Sequence, residues 1–412
     1  MTTNLRIDGD RLWDSLMELA EIGATEKGGV CRLALTDLDR QGRDLFKRWA
    51  ENAGCTVSVD KMGNIFARRP GKDNTLAPVM TGSHIDTQPT GGKFDGNYGV
   101  LAGLEVVRTL NDFNVETARP IEVVVWTNEE GSRFQPSMVA SGVFAGVFDL
   151  DYGLSRADTE GKIIGEELKR IGYAGEAPVG GREVAAFFEA HIEQGPILEA
   201  ENKTIGVVEG VQGIRWYEYY VTGQEAHAGP TPMKVRKDAL QGASRMITEA
   251  YRIANSRPPN ACATIGVIEG FPNSINVIPG RVKFTVDLRN PDESVLADMG
   301  REMREVSEKI ARELGLTLEI KEIWNNPPVK FAPELVKSVQ TAVDKLGYSN
   351  RRIISGAGHD SVNISKVAPT AMIFVPCKDG ISHNEVEDAK KEDVAAGCDV
   401  LLHAIVEHAN IV

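Results

Sequence analysis

Apolar positions along this chain follow two different rhythms. Residues 10–23 and 36–53 repeat them at helical spacing, the second segment opening at a Thr36 cap and stopping before Gly54. Strand-like runs follow at 55–60, 64–69 and 78–85, with Met62-Gly63-Asn64 as the turn between the first two. A helix from about Tyr98 to Leu110 aligns Val100, Leu101, Leu104, Val107 and Leu110 on one side, and Pro120 then opens the strand IEVVVW. That run does not alternate, as expected for a strand covered on both faces. Strands alternating with helices at this spacing predict an α/β sandwich built on a mixed, largely parallel sheet.

The rhythm changes at Val211-Gln212-Gly213. IRWYEYYVTG alternates like a strand with one open face, and a helix over 236–254 follows. Then come strands ACATIGVIEG and GRVKFTVDLRN, and a helix starting near Pro291 with Asn290 as its cap and Glu293 three residues on. TLEIKEIW closes the set. This order predicts a compact, ferredoxin-like α+β domain of its own. Residues 213–325 are read as that inserted domain, Asn325-Asn326-Pro327-Pro328 as the return hinge, and residues 1–212 with 326–412 as one discontinuous domain. From Phe331 a helix, the strand TAMIFVP and a last helix from Lys391 to His408 rejoin the first part.

Length and composition narrow the function. At 412 residues the chain can hold two or three domains, and 42% hydrophobic with 25% charged residues is ordinary for a globular protein. A net charge of −13 argues against a nucleic-acid surface and an anionic membrane partner. The first residues lack the basic and apolar regions of a signal peptide, and no stretch approaches the ~20 apolar residues of a membrane span. Cys31, Cys55, Cys262, Cys377 and Cys398 are scattered without a CxxC pair. They read as reduced thiols of a cytoplasmic protein.

The candidate chemistry centres on VMTGSHIDTQPTGGKFDGNYG. His84 and Asp86 stand where a buried strand should end, and the Gly91-Gly92 loop brings Asp95 round beside them. Imidazole with carboxylate suits a borderline divalent cation, and Asp86 is placed to hold the second ring nitrogen of a ligating histidine. The bland alternative is a loop histidine with two capping aspartates. IEVVVW runs into Glu129 and Glu130, where one carboxylate can ligate a metal while its neighbour takes a proton; alternatively the pair is a solvated strand end. His191 and His383 also follow buried strands, whereas His403 and His408 on the last helix read as surface residues.

GSHIDTQPTGGKFDG, NEEGSRF, HIEQGP, GQEAHAGPTPM, NSINVIPG, DLRN, SGAGHDS and GISHNE, in colinear order, resemble the amidohydrolases that cleave N-carbamoyl amino acids. These belong to a superfamily of dinuclear-metal aminoacylases and carboxypeptidase-like peptidases, and the resemblance runs from Leu12 to the last helix. It implies a zinc-exopeptidase-like catalytic domain holding two divalent ions per subunit, zinc foremost, with manganese, cobalt or nickel as alternatives. Asp95 would bridge the ions, His84 and His191 completing one and Glu130 and His383 the other. Glu129 would be the general base. His227 would stabilise the oxyanion, and Gln194, Asn276, Arg289 and Gly358 would contact substrate. The bland alternative is a turn-capping histidine for His227 and an ion pair with Asp287 or Asp292 for Arg289. His359 and Asp360 are read as structural or supporting groups. The inserted domain would be a lid and a homodimer interface, and the substrate a small ureido acid. An allantoate amidohydrolase, or an aminoacylase or dipeptidase on the same metal pair, is the neighbouring alternative. A catalytically silent metal protein is the more distant one.

Overall fold

The computed structural model describes residues 5–410. By contact the chain divides into Met1–Gly210 with Phe331–Val412, and Val211–Lys330. The second unit extends beyond 213–325 because strand Thr317–Asn326 pairs with Gly213–Thr222 as far as Asn326↔Ile214. That ladder includes Asn325 and Asn326 of the expected hinge.

In the first unit the sheet order is Thr56–Val59, Ile65–Arg69, Ile121–Trp126, Val79–His84, Ala186–Ile192, Thr370–Val375, Ile205–Val211. Its four central strands are parallel, and the flanking pairs are antiparallel. The sheet is therefore parallel only at its centre; the short Asp60–Asn64 turn can return the chain only antiparallel. Every residue of the four central strands is buried. Alternate side chains explain this. Thr81 and Val123 face Gly103 of helix Asn97–Asp112, whereas Met80 and Val124 join Trp126, Phe66, Phe144 and Phe187 in a cluster on the other side.

Helix Lys391–Ala409 packs on the sheet and on helices Gly9–Ala20 and Asn97–Asp112. His403 is consequently buried, its Nε2 3.1 Å from the Leu5 carbonyl, and is not the surface residue its position suggested. His408 is half-buried, its Nε2 2.9 Å from Ser338 Oγ. Among the described residues no helix is long and apolar enough to cross a membrane.

The second unit is an antiparallel sheet in the order Ile268–Phe271, Arg281–Asn290, Gly213–Thr222, Thr317–Asn326, with Cys262–Thr264 also on Arg281–Asn290. Helices Ala239–Asn255 and Glu293–Leu314 share one core with it around Tyr219, Phe284, Met246, Met299 and Met303. Two details differ from the sequence reading. ACATIGVIEG is two strands, broken at Gly266. The helix cap is Asp292, which accepts from the Ser294 and Val295 amides, because Asn290 is still paired in its strand.

Helix Asp37–Asn52 carries a buried ion pair within itself, and the arginine of that pair fastens it to the turn at Gly63. Arg43 Nε donates to Asp39 Oδ2 at 2.9 Å with neither side chain exposed, and Arg43 Nη1 donates to the Gly63 carbonyl at 2.7 Å. Asp39→Ala leaves that guanidinium buried without its counter-charge. The expected loss is about 3–5 kcal/mol of unfolding free energy, checked by the urea midpoint.

Candidate metal centre

Parallel strands set out the candidate ligands at their carboxyl ends, where sheets of this kind assemble ligand sites. His84 ends Val79–His84, His191 is the last residue but one of strand Ala186–Ile192, and Glu129 and Glu130 follow Ile121–Trp126. Asp95 arrives from the loop before helix Asn97–Asp112, and His383 from the loop beyond Thr370–Val375. Gly96, at φ +67°, makes the Asp95 turn possible: a Cβ there would lie 2.4 Å from the His84 ring. Asn128, Gln194 and His383 all hold positive φ, at 57°, 55° and 54°. Left-handed backbone at non-glycine residues concentrates at sites whose surroundings enforce it.

The Asp95 carboxylate sits at the focus. Its Oδ1 is 3.6 Å from His84 Nε2 and 3.2 Å from His191 Nε2, and its Oδ2 is 3.3 Å from His383 Nε2. His383 Nε2 is also 3.3 Å from Glu130 Oε2. Ligand atoms about 2.1 Å from a tetrahedral ion lie about 3.4 Å from one another. These separations match that spacing. Two groups, His84–Asp95–His191 and Asp95–Glu130–His383, could each hold an ion, and they share Asp95.

The histidine tautomers fit as well. His84 Nδ1 lies 2.9 Å from the Asp86 carbonyl and His191 Nδ1 2.9 Å from the Ile192 carbonyl. A carbonyl only accepts, so Nδ1 carries the hydrogen and, on a neutral ring, Nε2 turns a lone pair into the cluster. Here the reading of Asp86 changes. Its backbone, not its carboxylate, holds the ring, while the carboxylate accepts from the Glu129 and Glu130 amides at 3.3 Å each. Asp86 thus orients the two glutamates.

Electrostatics point to the same chemistry. Burial pushes the Glu129 pKa well up, against the pull of His84, and Asp360, Glu130 and Asp86 push it further. Burial and Asp95 raise Glu130 to about 7. Burial opposes ionisation of Asp95 too, yet the His191, His383 and His84 rings around it hold it well below the usual carboxylate range. Carboxylates this crowded compensate one another poorly, and divalent cations are the species that relieve them.

Two supporting residues escaped the sequence reading. Glu387 is buried, and its Oε1 accepts from the Phe94 and Asp95 amides at 2.9 and 3.1 Å. Ser382 Oγ lies 2.7 Å from Asp95 Oδ2 and 2.8 Å from Glu387 Oε2. The only signal was an acid four residues past His383, which resembles its neighbour Glu385. Gln194 Nε2 also donates to Asp95 Oδ2, at 2.7 Å.

The remaining candidates divide by unit. Gly358 is exposed beside the Met138 side chain, just ahead of buried His359 and Asp360. The His359 ring meets His191 edge-on, 4.5 Å between centroids, and its Nε2 is 3.0 Å from Ser355 Oγ. Glu189, His191 and His359 form a third group able to hold an ion, but hydrogen bonds from Ser83 and Ser361 already occupy both Glu189 oxygens. In the second unit, exposed His227 pairs with Val277 across a two-stranded ladder, which sets exposed Asn276 beside it. Arg289 forks onto Asp287 at 3.0 and 2.9 Å, the ion pair foreseen as its alternative role.

A parallel-centred sheet that gathers imidazoles and carboxylates on its strand ends defines a candidate metallohydrolase. Residues 80–407 match Peptidase family M20/M25/M40, and the chain belongs to that family. It is 53% identical over 409 residues to the N-carbamoyl-L-amino-acid amidohydrolase of Rhizobium meliloti, covering 99% of this chain and 98% of that one. An amidase of the hydantoinase/carbamoylase family from Burkholderia multivorans is 63% identical, with a TM-score of 0.96 over 98% of each chain. The allantoate amidohydrolase of Escherichia coli K12 is more distant, 33% identical over 391 residues, covering 94% of this chain and 95% of that one.

Glu387→Ala orphans two buried amides under Asp95. The variant is expected to lose about 1–3 kcal/mol for each and to bind zinc about tenfold more weakly, measured by urea unfolding and competitive zinc titration.

Proposed function

We propose that this chain is a metal-dependent amidohydrolase that removes the carbamoyl group of N-carbamoyl amino acids, releasing the amino acid, ammonia and carbon dioxide. The observation that carries the reading is Asp95, with one carboxylate oxygen turned to His84 and His191 and the other to His383. The Rhizobium meliloti relative supports the choice of substrate.

His84, Asp95 and His191 would hold one divalent ion, and Asp95, Glu130 and His383 the other. Two such ions polarise a carbonyl and acidify water, and zinc, manganese, cobalt or nickel all suit these donors. The chain's own groups do the rest. Glu129, oriented through its amide by Asp86, takes a proton from the attacking water as oxygen bonds to the ureido carbon. The bond from that carbon to the amino-acid nitrogen then breaks, and Glu129 returns the proton to the leaving nitrogen. The carbamate that remains decomposes to ammonia and carbon dioxide. His227 is assigned to the oxyanion, and Asn276 and Arg289 to the substrate carboxylate, for which a guanidinium fork is suited. Gln194 and Gly358 are assigned to the ureido end.

The reading includes a cytoplasmic homodimer formed through the second unit. Strand Ile268–Phe271 lies at the edge of its sheet with every residue exposed; Ile275 a few residues on, and Met233 and Val235 elsewhere in the unit, are exposed as well. An unpaired edge and exposed apolar side chains favour association. Sedimentation should therefore give twice the chain mass.

Two experiments test the activity. Ammonia should be released from N-carbamoyl amino acids but not from allantoate, and N-acetyl amino acids should remain uncleaved. A preference for allantoate or for the acetyl compounds overturns the substrate assignment. Glu129→Gln should lower kcat by about 10²–10⁴-fold with zinc content unchanged; full activity in that variant would remove Glu129 from the chemistry.

A further inference from the structure

The segment Gly28–Thr36 contributes no ligand, yet it places Arg32 fully buried beneath the centre. Its guanidinium reaches three separate pieces of chain. Nη1 donates to the Leu19 and Ile22 carbonyls at 2.9 and 2.7 Å, satisfying acceptors at the end of helix Gly9–Ala20. Nε donates to the Ile85 carbonyl at 2.8 Å, between His84 and Asp86. Nη2 donates to Asn97 Oδ1 at 2.6 Å, and Asn97 Nδ2 in turn donates to the Asp95 carbonyl at 3.1 Å. The backbone on either side reinforces the clamp: the Arg32 amide donates to Thr87 Oγ1 at 2.8 Å and the Thr87 amide to the Arg32 carbonyl at 3.0 Å. Gly42 leaves room for the side chain, since a Cβ there would come 3.1 Å from Arg32 Cδ.

A buried cation is an expensive way to fill a core. Replacing buried ions with well-packed apolar groups is commonly neutral or stabilising. What an apolar residue cannot do is fix the distance between the two ends of one loop through a rigid planar fork of donors. The loop in question joins strand Val79–His84 to helix Asn97–Asp112, with His84 at its start and Asp95 near its end, and their separation sets the first candidate ion site.

We propose that Arg32 is a positioning residue that sets metal affinity by clamping together the two ends of the loop that runs from His84 to Asp95, through one guanidinium and Asn97. The inference rests on the metal-centre reading given above. Outer groups that orient ligands alter metal affinity about 10- to 100-fold when removed, and Arg32 and Asn97 stand in that relation to His84 and Asp95.

The test titrates zinc alone into the full-length protein stripped with chelator, using a competing fluorescent chelator, for wild type, Arg32→Lys, Asn97→Ala and Leu335→Ala. The last truncates a buried residue of helix Pro333–Leu346, which packs on helix Lys391–Ala409 and strand Thr370–Val375, and controls for lost stability. Arg32→Lys and Asn97→Ala should each bind zinc about 10- to 100-fold more weakly, while Leu335→Ala keeps the wild-type affinity despite a lower melting temperature. Wild-type affinity in Asn97→Ala and in folded Arg32→Lys overturns the proposal; should Arg32→Lys fail to fold, Asn97→Ala decides by the same criterion. Equal weakening in Leu335→Ala also overturns it, because affinity would then merely follow stability. If wild type itself binds no zinc, the metal-centre reading fails, an outcome distinct from the other two.

Discussion

Everything about this site depends on one carboxylate held among three imidazoles. Asp95 keeps its charge in a buried place because His84, His191 and His383 surround it, and each of those rings reaches it from a different stretch of chain. A carboxylate so placed is stabilised only while all three approaches hold, so the fold around it is a set of devices for fixing loops. Gly96 lets the turn close on the His84 ring, Glu387 takes the amides of Phe94 and Asp95, and Asp86 takes those of Glu129 and Glu130. The backbone stores strain at Asn128, Gln194 and His383 for the same reason: side chains must aim where relaxed dihedrals would not send them.

These devices use buried polar groups heavily, and that has a thermodynamic consequence. Arg32, Arg43, Asp39, Asp86, Glu189 and Glu387 are all buried, and each is tolerable only with its partners in place. The apolar core supplies the free energy of folding, through Trp126, Phe66, Phe187 and their neighbours on one face of the sheet and the helices on the other. The polar layer at the strand ends supplies geometry. Stability and precision are thus assigned to different layers of the same unit, which is why a variant can change one without the other.

Much of the architecture was legible from periodicity. Runs such as IEVVVW and TAMIFVP carry no alternation because both faces are covered, and the strands are where those runs place them. The second unit's strands alternate because helices cover one face only. Errors fell where local rules met tertiary demands. Asn290 has the composition of a cap but is used by its strand, and His403 lies on a helix whose polar residues suggest exposure although the helix packs on the sheet and on helices Gly9–Ala20, Asn97–Asp112 and Pro333–Leu346.

For the candidate centre, the chain by itself determined the kinds of donors and their places at strand ends, since a buried run followed by His or by paired acids is a local pattern. It could not decide which atom does what. Asp86 was expected to steady His84 with its carboxylate and does so with its carbonyl; Glu387 and Arg32 looked like any charged residue in a polar stretch. Such assignments depend on distances between segments far apart in sequence, and those distances exist only once the sheet has brought the strand ends together.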